Sequence, residues 1–210
     1  MTIDEVVTLV LNRCGNRSGD SGLTSAALLE LKMLQGRLEE APDPPWFLIS
    51  ERADGEVTQS EPRLELPSDF LMELEEGALF LVKGDGTEKE LKKDEYDRLR
   101  RTYLNTEEGE PEWYTIRGKY IYLFPTPDAA YEVRLVYYKR DTAPATGVTN
   151  EWSTYAADVL IAELGMVISG EYLKDERTRK QFETDLAIAR KRLKDKNIAR
   201  GEVNMLNQMR

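Results

Sequence analysis

Apolar positions recur at two different periods along this chain and divide it into helical ends and a β-rich middle. Ile3, Val6, Val7, Val10 and Leu11 fall at spacings of three and four, the pattern of one buried helix face. Thr2 and Glu5 have capping-box spacing, so a first helix is predicted to start there and stop near Gly15. Beyond a loop rich in Gly, Ser and Asn, Thr24 is predicted to cap a second helix along Leu28, Leu31, Leu34 and Leu38, which Pro42, Pro44 and Pro45 end. At the other end, residues 156–168 are apolar on nearly every side except at Asp158 and Glu163, which predicts the most buried helix of the fold. Gly170 and Tyr172 mark a break. Lys174–Lys196 then reads as a charged helix with a narrow seam of Phe182, Leu186, Ala189 and Leu193, stopping around Asn197–Gly201 and folding back on its predecessor as a hairpin.

In the middle the period changes to two. Trp113 and Thr115 alternate with Tyr114 and Ile116, and Tyr120, Tyr122 and Phe124 alternate with Ile121 and Leu123, across a turn at Gly118. Pro125 and Pro127 stop the second run before a third, Tyr131–Lys139, so three antiparallel strands in a meander are predicted. Trp46–Ile49 reads as a short strand, 50–62 as a loop or hairpin tip, and Leu66-Pro67 as an extended entry to a turn at Ser68-Asp69. Residues 78–82 and 87–91 fit a hairpin across Gly84-Asp85-Gly86, and no helix opens after that turn to make it a phosphate loop. Asp94 is predicted to cap a short helix with Tyr96, Leu99 and Tyr103 along one side; 106–111 is an acidic turn and 141–150 an aperiodic connector. The fold class is α+β: a helical core, made of the N-terminal helix pair and the long C-terminal helical hairpin, with an antiparallel β-rich insertion at 46–140. One domain is expected over 1–197, followed by a C-terminal arm at 198–210.

Composition removes more chemistry than it adds. The chain has no histidine and one cysteine, Cys14, so Ser-His-Asp and Cys-His pairs, HExxH zinc sites and an internal disulfide are all absent. Neither GxxxxGK[ST] nor GxGxxG occurs. The expectation is a non-enzyme with no catalytic residues, no metal and no cofactor. No apolar run is long enough for a membrane span, and the acids Asp4 and Glu5 replace the basic start of a signal peptide; synthesis in a cytoplasm is expected.

Leu66-Pro67-Ser68-Asp69-Phe70, the Tyr114 to Tyr138 meander with its Gly118 and its Pro125-Thr126-Pro127, and the helical run 151–195 together make the chain resemble the head-to-tail adaptor (connector) proteins of tailed bacteriophages. The resemblance covers roughly residues 3–195. It implies a structural role in the virion neck, as a homo-oligomeric ring of about twelve copies between the portal protein and a tail or nozzle protein. Genomic DNA would pass through the ring without sequence-specific binding. A tail-completion protein is the alternative within the same class.

Charge is unevenly distributed. Of 29 basic and 39 acidic side chains, residues 174–210 carry 11 and 6 and residues 1–173 carry 18 and 33, so a tail of +5 follows a body of −15. Three readings are open: a solvated helix with pairs such as Asp175 with Arg179, a basic arm that docks on an acidic neighbour, or a cytosolic nucleic-acid-binding module using that helix. Under the second, Arg190, Lys191, Arg192, Lys194 and Lys196 orient the arm electrostatically. Arg200, Val203, Met205, Leu206 and Met209 then anchor it, on the portal or on a neighbouring subunit.

Overall fold

The computed structural model describes residues 1–84, 86–103 and 108–208. In chain order the elements are α1 (Ile3–Arg13), α2 (Ser21–Glu39), a 3-10 turn (Trp46–Leu48), β1 (Ile49–Val57), β2 (Arg63–Glu65), β3 (Phe70–Glu73), β4 (Leu79–Val82), β5 (Glu88–Glu90), β6 (Lys92–Lys93), α3 (Tyr96–Thr102), β7 (Glu108–Gly109), β8 (Trp113–Arg117), β9 (Tyr120–Phe124), β10 (Thr126–Pro127), β11 (Tyr131–Lys139), α4 (Glu151–Tyr155), α5 (Ala157–Val167), a π-helical turn (Ile168–Tyr172) and α6 (Glu176–Gln208). The fold class is α+β. Two compact units form: residues 1–48 with 140–210, and residues 49–139.

In the helical unit, α5 packs against α1, α2 and α6, with Val159, Leu160, Ala162, Leu164 and Gly165 all buried. The expected capping box is present at α1, where Thr2 and Glu5 satisfy each other's backbone N–H groups. α2 starts a turn before the expected Thr24. Asp20 is its cap, accepting the Leu23 N–H at 3.0 Å, because Leu23 itself is part of the buried face with Ala27, Leu31 and Leu34; the Thr24 hydroxyl donates back to the Asp20 carbonyl. Leu28 and Leu38 are only half-buried. The connector 141–150, aperiodic in sequence, carries a buried polar network. Asn150 caps α4 and donates to Gln35 and the Thr142 carbonyl, Gln35 donates to Glu39, and Glu39 also accepts the Asp141 N–H at 3.2 Å. Burial pushes the Glu39 carboxyl above its ordinary range, against the opposing hydrogen bonds from Gln35 and the Asp141 amide.

The β unit has a five-stranded sheet ordered β1-β11-β4-β5, with β3 also on β11, and a four-stranded sheet ordered β2-β9-β8-β6. Leu79, Leu81, Val133 and Leu135 from the first and Tyr114, Ile121 and Leu123 from the second share one apolar cluster. The three strands of the predicted meander do not form one sheet. β8 and β9 pair as expected, but the third strand leaves them: β2 occupies the free edge of β9 through Leu64 opposite Ile121, and β11 becomes the centre of the other sheet. The loop or hairpin tip expected at 50–62 is largely β1, which pairs with β11 on both sides of a register shift between Arg52 and Gly55 despite its polarity. Gly55 is required in it, since a Cβ there would lie 2.6 Å from the Val133 carbonyl oxygen. The strand expected at Trp46–Ile49 is a 3-10 turn up to Leu48, because Phe47 and Leu48 are both buried and consecutive burial does not fit an alternating strand. The hairpin at 79–90 forms, although Asp85 of its turn lies outside the described residues. α3 follows Glu95, not Asp94, whose carboxylate instead accepts the Glu95 N–H and pairs with Arg98 at 3.2 Å. Residues 104–107 lie outside the described residues, and with them the first two positions of the acidic turn expected at 106–111; Glu108–Gly109 bridges Thr126–Pro127.

Candidate functional site

The surface most unlike the rest of the chain is α6, and its start is fixed locally. The π-helical turn ends with the Asp175 N–H on the Ser169 carbonyl at 2.8 Å, and Lys174 sits at φ +56. Asp175 then caps α6: its carboxylate accepts the Thr178 hydroxyl at 2.7 Å and the Thr178 and Arg177 N–H groups at 3.1 Å. Those hydrogen bonds, the Thr178 hydroxyl first, hold the Asp175 carboxyl below the usual carboxylate range. The expected Asp175–Arg179 pair therefore does not form. Asp175 is committed to the cap, and Arg179 reaches Glu176 at 3.3 Å instead.

The first half of α6 is held by packing. Phe182 is buried against Gly165, where a Cβ would come within 2.4 Å of its ring. The Arg13 guanidinium lies 4.3 Å over the same ring and pairs with Asp185 at 2.5 Å. Leu186 and Ala189 complete the buried seam, while Leu193 is half-buried. α6 does not stop at Asn197–Gly201; it continues to Gln208. Gly201 alone costs a helix interior about 1 kcal/mol relative to Ala, which is a weakness and not a terminator, and no proline follows it.

Beyond the seam the contacts change character. Arg190 is exposed and ion-paired with Glu163 of α5. Lys191, Arg192, Lys194 and Lys196 are exposed and, among the described residues, make no ion pair. Asn197 accepts the Trp46 backbone N–H at 3.2 Å, and the Arg200 guanidinium stacks over the Trp46 indole at 4.2 Å. Trp46 meets the Tyr155 ring edge-on at 5.0 Å, and Tyr155 stacks on Phe47 at 5.6 Å. Two cavities lie beside this contact. One of about 440 Å³ is lined by Leu34, Trp152, Glu163, Arg190, Leu193 and Asn197 among others; one of about 400 Å³ is lined by Trp46, Tyr155, Lys196, Ala199 and Arg200.

The structure thus brings Lys196 and Arg200 together and puts the other basic residues on the same helix. Val203, Met205 and Leu206 are on its last two turns, and Met209 lies outside the described residues. Sequence reasoning missed Trp46 and Tyr155. No spacing connects positions 46, 155 and 200; the available signal was only two aromatics outside any apolar period, one of them after a proline pair. Among the described residues no group of acids and Cys14 is placed to hold a metal ion, and no helix is long and apolar enough to cross a membrane.

The distinctive surface of this α+β protein is an exposed cationic helix. A family model described as the SU10 adaptor protein matches residues 1–206, and the chain belongs to that family: it is a bacteriophage adaptor with a structural role, a component of the virion. Comparison with curated proteins finds no match.

Proposed function

We propose that the protein is the head-to-tail adaptor of a tailed phage, forming a ring between the portal and a tail or nozzle protein around the DNA passage. The observation that carries this is the family match over residues 1–206, nearly the whole chain. In this reading α6 is the docking element. Arg190, Lys191, Arg192, Lys194 and Lys196 steer it toward an acidic neighbour, and Arg200, Val203, Met205, Leu206 and Met209 anchor it, while the acidic body keeps friction with passing phosphates low. About twelve copies is the ring size the family resemblance implies. The protein acts without catalysis or a cofactor. Its single domain over 1–197 carries the β-rich insertion 46–140, and 198–210 forms the contact arm.

Native mass measurement of the purified protein mixed with the portal protein of the same phage tests this. A discrete complex of many copies on one portal ring is expected. A monomer that ignores the portal and binds duplex DNA with a steep salt slope would replace the adaptor reading with the nucleic-acid one, which the run of exposed cations on α6 favours.

A further inference from the structure

Of the α6 cations that make no ion pair among the described residues, Lys196 lines a cavity with aromatic walls. Lys196 and Arg200 are four residues apart on a helix, hence neighbours on one face, and like charges at that spacing repel. Among the described residues no carboxylate pairs with either of them. Beneath them lie Trp46, half-buried, and Tyr155, which is 42% exposed. The Trp46 indole N–H is buried and meets no acceptor among the described residues. Two cations converging on two aromatic rings around about 400 Å³ of open space match an acidic group flanked by apolar surface. Trp, Tyr and Arg are also the residue types that concentrate binding energy at interfaces.

We propose that the Trp46–Tyr155–Lys196–Arg200 cavity receives a carboxylate side chain of the docking partner, together with the apolar residue beside it, and that Trp46 and Tyr155 are anchors of that contact. The proposal rests on the docking role given to α6 above and adds to it two receiving side chains outside the helix, Trp46 and Tyr155. The carboxylate bridges Lys196 and Arg200 and removes their mutual repulsion. The apolar neighbour covers the Tyr155 ring. Arg200 is both a stacking partner of Trp46 and a charge for the incoming acid, which a lysine could not reproduce, since only a planar guanidinium stacks while offering a fork of donors.

The test is affinity for the purified portal protein, measured for the wild type, Trp46→Ala, Tyr155→Ala, Lys196→Glu and Arg200→Lys, each checked for an unchanged unfolding midpoint. Lys196 is exposed, so Lys196→Glu reports on docking even if Trp46→Ala folds poorly. Tyr155→Ala and Lys196→Glu are each expected to weaken binding about tenfold or more, and Arg200→Lys to weaken it in part. Wild-type binding with Tyr155→Ala or Lys196→Glu within about twofold of it overturns the cavity while leaving the adaptor reading standing. Absence of wild-type binding removes both.

Discussion

The two halves of α6 are held by different physics. From Glu176 to Ala189 the helix is fastened by a capped start and a buried seam, with Phe182 filling the space a side chain at Gly165 would occupy. From Arg190 to Arg200 it is held by an exposed ion pair, one hydrogen bond to the Trp46 backbone and a cation stacked on an indole. The seam of the first set is buried within this subunit. The second is made of groups that water or a partner can replace at little cost, since exposed ion pairs and exposed cation–π contacts each contribute about 1 kcal/mol or less. A single helix can therefore be structural at one end and available for recognition at the other.

Stability measurements should separate the halves. Phe182→Ala is expected to cost about 3 to 5 kcal/mol through lost transfer energy and a cavity, whereas Arg200→Ala should cost no more than about 1 kcal/mol; urea unfolding of both variants checks the ratio, and equal losses would erase the distinction. Gly165→Ala comes next in size, at about 1 to 3 kcal/mol, because the new methyl and the Phe182 ring cannot share the space without shifting α6.

A smaller effect belongs to the buried network where the connector meets α2. Glu39 has its folded-state pKa raised by burial, so the folded protein holds that proton more tightly than the unfolded chain. Its contribution is greatest below the ordinary carboxylate pKa and is lost as pH rises through the raised value. Glu39→Gln keeps an acceptor for the Asp141 N–H and removes the ionisation. Relative to the wild type it should gain stability as pH rises from the acid range toward neutrality, and a difference that stays flat with pH would refute the assignment. Smallest of all on folding, though not on docking, is salt. Raising ionic strength should leave the unfolding midpoint nearly unchanged while weakening portal binding, as exposed charges are screened within about 8 to 10 Å.

Much of this architecture is written in periodicity. α1 with its capping box, the buried α5 and the Phe182 seam follow from apolar spacing, because each is decided by contacts within one face of one helix. What was not legible depends on partners distant in sequence. β11 has the same alternation in a meander as at the centre of a separate sheet, and only the occupation of the β9 edge by β2 decides between them. β1 is polar because its backbone, more than its side chains, earns its place beside β11. Asn150, Gln35 and Glu39 look like surface residues until the connector closes over them. In the candidate site the basic residues could be read directly from the chain, but the aromatic floor supplied by Trp46 and Tyr155 could not, since three separate segments build it.

In the proposed function the C-terminal half of α6 is a docking element and not a part of the core. Deleting residues 198–210 and measuring portal affinity alongside the unfolding midpoint tests it most directly. A midpoint close to that of the full chain is expected, because the buried seam ends before Lys194, together with loss of portal binding. A truncated protein that joins the portal with unchanged affinity would contradict it.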